Sequence, residues 1–185
     1  MHIQPNAPRA QSYGQTTSTA SNAPVTPGSG LPAAQPLGGG SIERRADGCG
    51  VVKGTAGNDK IDVTRMQNGD VRLTVNGEST MLSAAEAQKL EIHGKKGKDS
   101  INVGAGIDGA RIFGGKGSDA ITADGNGVRV RAGKGDDNVT VTGDNARVRA
   151  GRGNDTVGVT GNNARVRGGK GDDAVNVTGD NARVR

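Results

Sequence analysis

In the C-terminal half of the chain, apolar and polar residues alternate along two short segments of every eighteen residues. NVTVT leads through a polar corner to RVR, TVGVT through another corner to another RVR, and AVNVT to a third. Such alternation marks a strand with one face buried. On RVR the middle residues Val130, Val148, Val166 and Val184 are expected inward, with an arginine outward on each side. On NVTVT, Val139 and Val141 face in while Thr140 and Thr142 face out. Two short strands per coil, joined by tight corners, put equivalent residues into columns along a stack. Self-similarity at a fixed period marks a solenoid. The pattern predicts an all-β fold, a parallel β-roll or right-handed β-helix with eighteen-residue coils.

The periodicity weakens upstream. VTRMQNGDVRLTV reads as a hairpin whose Asn68-Gly69 suits a tight primed turn. STMLSAAEAQKLEI supplies one short helix, capped by Ser83 with Glu86 completing a capping box. A stacked fold needs a cap, so this hairpin and helix are expected to cover the N-terminal end of the solenoid. Residues 1–47 hold all six prolines and are rich in Ser, Thr, Gln and Gly. Such a segment buries too little apolar surface to offset its chain entropy and is expected to be disordered. The chain thus divides into a tail (1–47), a capping region (48–113) and a four-coil solenoid (114–185).

From Gly114 the solenoid is written as eight nonapeptides of two alternating kinds. The odd members are GGKGSDAIT, AGKGDDNVT, AGRGNDTVG and GGKGDDAVN. They fit G-G-x-G-x-D-x-U-x, with alanine for the first glycine in the middle two. Looser copies, GKKGKDSIN and GTAGNDKID, start at Gly94 and Gly54. These nonapeptides closely resemble those of the RTX, or hemolysin-type, calcium-binding family. Glycine permits the positive φ of a tight corner, and oxygen ligands from stacked loops suit calcium. The resemblance implies Ca2+ held by Asp119, Asp137, Asp155 and Asp173. Carbonyls around Gly115, Gly117, Gly133, Gly135, Gly151, Gly153, Gly169 and Gly171 would assist, with Asp99 and Asp59 serving the looser copies. It also implies ion-coupled folding and secretion. As ordinary Gly-Asp turns, the same loops would carry no ion. The tail, by its Ser/Thr/Gln/Pro composition, resembles the leaders of type III secreted effectors, so the protein is expected outside the cell or inside a host cell.

The even members, such as VTGDNARVR, place Ala146, Ala164 and Ala182 where the aspartate would stand. No metal is expected on that side. Asn145, Asn163 and Asn181 are expected to stack there as an amide ladder. The solenoid would thus be one-sided.

Composition adds a net charge of +5 and places much of it. Arg129, Arg147, Arg165 and Arg183 form one outward column, and Arg131, Arg149, Arg167 and Arg185 a second. Rungs about 4.8 Å apart crowd these guanidiniums, which calls for an anion or serves as a device against edge association. Acidic polysaccharide, lipid headgroups or a phosphate backbone are the candidate partners. Sequence-reading of nucleic acid is not expected, since no aromatic residues are interleaved with these arginines for stacking on bases. Self-association through the edge of the last coil is a further expectation. The lone Cys49, with His2 and His93 far apart, offers no zinc set or catalytic pair, and no enzyme is expected. No run of about 18 apolar residues predicts a transmembrane helix.

Overall fold

The alternating segments form strands that run one coil after another into two facing sheets. In a computed structural model of the chain, residues 34–185 are described. The first elements are β1 (Gln35–Leu37), β2 (Gly40–Arg44), β3 (Gly50–Lys53), β4 (Lys60–Arg65), β5 (Val71–Val75), β6 (Glu78–Leu82) and helix α1 (Ala84–Ala87). Then come β7 (Glu91–Lys96) with β8 (Ser100–Val103), β9 (Arg111–Lys116) with β10 (Ala120–Asp124), and β11 (Arg129–Lys134) with β12 (Asn138–Thr142). The last are β13 (Arg147–Arg152) with β14 (Thr156–Thr160), β15 (Arg165–Lys170) with β16 (Ala174–Thr178), and β17 (Arg183–Val184).

One sheet runs β1-β2-β3-β7-β9-β11-β13-β15-β17, and the other β16-β14-β12-β10-β8-β4-β5-β6. The protein is a parallel β-solenoid. Register is strict. Val130 lies opposite Val148 and Val148 opposite Val166, so identical side chains stack in columns. The looser copies at Gly54 and Gly94 are full coils in the same stack, with Ile61 opposite Ile101 and Ile101 opposite Ile121. The solenoid therefore starts at β3, upstream of residue 114, and no boundary falls there.

The core is thin, as its composition requires. Isoleucine fills the early coils (Ile61, Ile92, Ile101, Ile112, Ile121) and valine the later ones (Val130, Val139, Val148, Val157), all at most 1% exposed. Burial of each such side chain contributes about 1.5–3 kcal/mol. The last coil is looser. Val175 and Val177 are half-buried, and Val184, expected inward, is 53% exposed because no described coil lies against it.

Both sheets begin in antiparallel pairs. The expected hairpin is β4–β5, and β6 adds a further antiparallel strand beyond it, with Val71, Leu73 and Val75 of β5 buried. α1 follows with the expected capping box, in which the Glu86 N–H donates to Ser83 Oγ and the Ser83 N–H to Glu86 Oε2. The Asn68-Gly69 turn differs from the expected primed pair. Only Gly69 has positive φ, and its N–H donates to the Met66 carbonyl (3.0 Å). This is a three-residue loop with a left-handed glycine, the next commonest hairpin solution.

The segment assigned to the tail is ordered from residue 35 onward, and residues 1–33 lie outside the described residues. β1 and β2 form a hairpin around Gly38 and Gly39, both at positive φ, and bury Leu37 and Ile42. Arg44 Nε donates to Glu86 Oε1 at 2.7 Å and ties β2 to α1. PLGGGSIER reads as a linker by composition, yet its two apolar residues cover the edge of β3.

Candidate functional site

Every coil turns a Gly-Asp corner after its strand in the first sheet, and the corner aspartates form one inward column. Asp59, Asp99, Asp119, Asp137 and Asp155 are at most 2% exposed. Each backbone N–H donates to the aspartate of the next coil. Asp99 donates to Asp119 Oδ1 (2.9 Å), Asp119 to Asp137 (2.8 Å), Asp137 to Asp155 (2.9 Å) and Asp155 to Asp173 (3.0 Å). One oxygen of each carboxylate is thereby used. The other, Oδ2 of Asp99, Asp119, Asp137 and Asp155, is buried without a hydrogen-bond partner.

Such an orphaned oxygen costs free energy unless a proton or a cation covers it. Burial pushes the Asp137 carboxyl up to about 7, against the lowering effect of its backbone hydrogen bond, and Asp119, Asp155 and Asp136 push the same way. Burial likewise raises Asp99 to about 6, and Asp119 and Asp155 above the usual range. The loop cations Lys116, Lys134, Arg152 and Lys170 point into solvent as a column of their own.

Asp59 departs from the set predicted for metal. The Thr55 N–H donates to its Oδ2 (2.6 Å) and Asn76 Nδ2 to its Oδ1 (2.7 Å). β3 ends at Lys53, so the Thr55 N–H is outside the ladder, whereas later strands continue through this position. Asp59 closes the head of the column and has no oxygen to spare.

The glycines explain the spelling of the loops. Gly115, Gly117, Gly133, Gly135, Gly151, Gly153, Gly169 and Gly171 all have φ between 118° and 136°. At each, the place of a Cβ is filled by a carbonyl oxygen of the coil before, such as Gly115 O beneath Gly133 and Gly117 O beneath Gly135. The first glycine of the motif has no positive φ, so Ala132 and Ala150 stand there fully buried. Carbonyl oxygens of the second and fourth motif positions thus stack coil on coil, and at the first position Asp119 Oδ2 and the Ala132 carbonyl oxygen both border the place of a Gly114 Cβ. Oxygen-only donors of this kind suit a hard cation. Among the described residues no three acidic, His or Cys side chains converge, so any ion would rest mainly on carbonyls with one or two carboxylates.

A second ladder went unread in the sequence. Asn154 N–H donates to Asp136 Oδ1 (2.8 Å) and Asp172 N–H to Asn154 Oδ1 (2.9 Å), in the opposite direction to the buried column. The signal was present, since the fifth motif position holds the short acceptors Asn58, Ser118, Asp136, Asn154 and Asp172, interrupted only by Lys98.

The opposite corner corrects the expected amide ladder. Asn145, Asn163 and Asn181 take left-handed φ of 57–62°, where Gly127 stands one coil earlier. Their side chains serve that backbone conformation. The ladder forms one residue earlier, with Asp144 N–H to Asn126 Oδ1, Asn162 N–H to Asp144 Oδ1 and Asp180 N–H to Asn162 Oδ1, at 2.7–2.9 Å. Ala146 and Ala164 are fully buried, so the interior of this corner is apolar and offers no ligand.

The arginine columns are in register as expected. Arg129, Arg147, Arg165 and Arg183 are paired rung to rung, as are Arg131, Arg149 and Arg167. From β9 onward the strands of this sheet carry no acidic residue. The ion pairs among the described residues join Arg44–Glu86, Lys53–Glu43, Lys60–Asp62 and His93–Glu91, and leave both columns out. The outer face of the other sheet is nearly neutral, with Thr142, Thr160 and Thr178 in one column.

Comparison with known protein families, with curated proteins and with solved structures gave no match. Fold and site define a class, a parallel β-solenoid with an acidic interior corner and one cationic sheet face.

Replacing Asp137 by Asn tests the acid column. The amide keeps an acceptor for the Asp119 N–H and removes a buried charge. At pH 8 in chelator the variant is expected to melt several degrees above the parent, with a smaller response to calcium. Thermal denaturation followed by circular dichroism reads both.

Proposed function

We propose that this solenoid is a non-catalytic binding module whose Gly-Asp corner takes Ca2+ and whose folding is coupled to the ion. The observation that supports it is the column of buried carboxylate oxygens without partners, repeated coil after coil in loops whose backbone carbonyls also stack. Asp99, Asp119, Asp137 and Asp155 would supply charge, assisted by carbonyls of the motif glycines. With a core this thin, binding free energy becomes folding free energy. The resemblance to RTX nonapeptides points the same way and adds secretion, with folding delayed until the chain meets extracellular calcium. The Ser/Thr/Gln/Pro-rich segment before residue 34 would serve as the export address.

Calcium titration after chelation is the test. Extracellular modules bind with Kd on the order of 10⁻⁴–10⁻³ M. At one hundred times Kd each site stabilises by about 2.7 kcal/mol. In a domain this size that is a rise of roughly 5–10 °C in melting temperature per site. Magnesium at equal concentration is expected to do far less, because it dehydrates reluctantly. An unchanged melting curve with calcium would remove this reading.

A further inference from the structure

We infer that the first sheet's outer face is a binding site for an extended, sulfated polysaccharide lying along the solenoid axis between the two arginine columns. The inference is independent of calcium. The site is a trough of about 480 Å³ floored by the backbone at Val148 and Val166 and walled by Arg147, Arg149, Arg165 and Arg167. It runs across the strands, so a ligand in it meets a pair of guanidiniums at every rung.

Three features select the ligand. The walls are arginine throughout, and the planar guanidinium pairs bidentately with sulfate, phosphate or carboxylate where lysine cannot. The rungs are about 4.8 Å apart. An extended glycan advances by roughly one sugar per rung of this size, whereas phosphates of one duplex DNA strand lie ~3.4 Å apart along the axis. The rings that this face carries, Phe113 and His93 in the column of Arg131, are already engaged with each other and with a guanidinium. Phe113 stacks on His93 with centroids 4.7 Å apart, and the Arg131 guanidinium lies 5.6 Å from its centroid. Single-stranded nucleic acid binding relies on such stacking. A bilayer would require apolar anchors, and from β11 onward the outward residues of this sheet are arginine, lysine and glycine.

Fluorescence anisotropy of a labelled heparin dodecasaccharide at about 0.15 M salt tests the inference. It is run on the full chain, in calcium and in chelator. The variant R147Q/R149Q/R165Q/R167Q is expected to bind at least about tenfold more weakly. The variant K116Q/K134Q/R152Q/K170Q loses equal charge from the neighbouring column and is expected to lose less than about threefold. All these side chains point into solvent, and circular dichroism verifies the fold. R147K/R149K/R165K/R167K, which keeps the charge, is expected to fall between the two. Equal loss in the Gln variants, undiminished binding by the lysine variant, or no binding by the parent overturns the site. Tighter binding of a single-stranded oligonucleotide, or of phosphatidylserine vesicles, overturns the ligand class.

Discussion

In chelator, the melting temperature is expected to rise as the pH is lowered from about 8 to about 5, the reverse of ordinary acid denaturation. The cause is the buried aspartate column. In the unfolded chain these carboxyls titrate near 3.8, while in the fold Asp99 is pushed up to about 6 and Asp137 to about 7. Between those limits the folded state holds protons that the unfolded state has released, so stability falls with rising pH. The contribution is fully present below about pH 4 and is lost through pH 6–7. One pK unit corresponds to about 1.4 kcal/mol, which puts the total on the order of several kcal/mol. The groups facing the column are other carboxylates, Asp136 among them, and the loop lysines point away. Calcium should abolish the slope at pH 8 and do little at pH 5. Calorimetry across the range decides it, and a melting temperature that climbs with pH in chelator refutes the assignment.

Gly151→Ala is expected to be strongly destabilising for a single added methyl. Gly151 has φ of 132°, and its Cβ would overlap the Gly133 carbonyl oxygen in the coil before. Neither the ladder nor the carbonyl can yield without parting two coils. Backbone strain of about 1–3 kcal/mol adds to a steric cost of similar size. The total, about 3–5 kcal/mol, lowers the melting temperature by roughly 10 °C or more. Gly158 is the control. It lies in β14 at an ordinary φ with nothing within 4 Å of the added Cβ. Gly158→Ala should stabilise by about 0.5–1 kcal/mol, since glycine inside a strand carries an entropic cost. If the two variants melt alike, the stacked-carbonyl account of the loops is wrong.

The division between sequence and structure can be drawn residue by residue. Alternation alone sorted Val130, Val148, Arg129 and Arg131 into core and surface. The period alone put like with like, because an eighteen-residue repeat leaves identical contacts as the only consistent register. The glycine positions followed from backbone sterics. Ser83 and Glu86 identified the helix start because a capping box is a local device.

Features set by the direction of a backbone group at a corner were not legible. Asp144 and Asn145 recur with the same period, so spacing could not say which one builds the ladder; the left-handed φ of Asn145 decided it. Asp59 and Asp119 share a motif position, yet only the first finds partners for both oxygens: β3 ends at Lys53 and frees the Thr55 N–H for Oδ2, while Asn76, brought in by the hairpin, reaches Oδ1. β1 and β2 were hidden in a proline- and glycine-rich stretch whose two buried residues matter only beside the edge of β3. The sequence by itself determined the coil, its columns and the sign of each face, since those follow from periodicity and sterics. Tertiary structure alone decided which carboxylate oxygens find a partner and which stay bare, because that depends on where each coil directs its N–H groups toward the next.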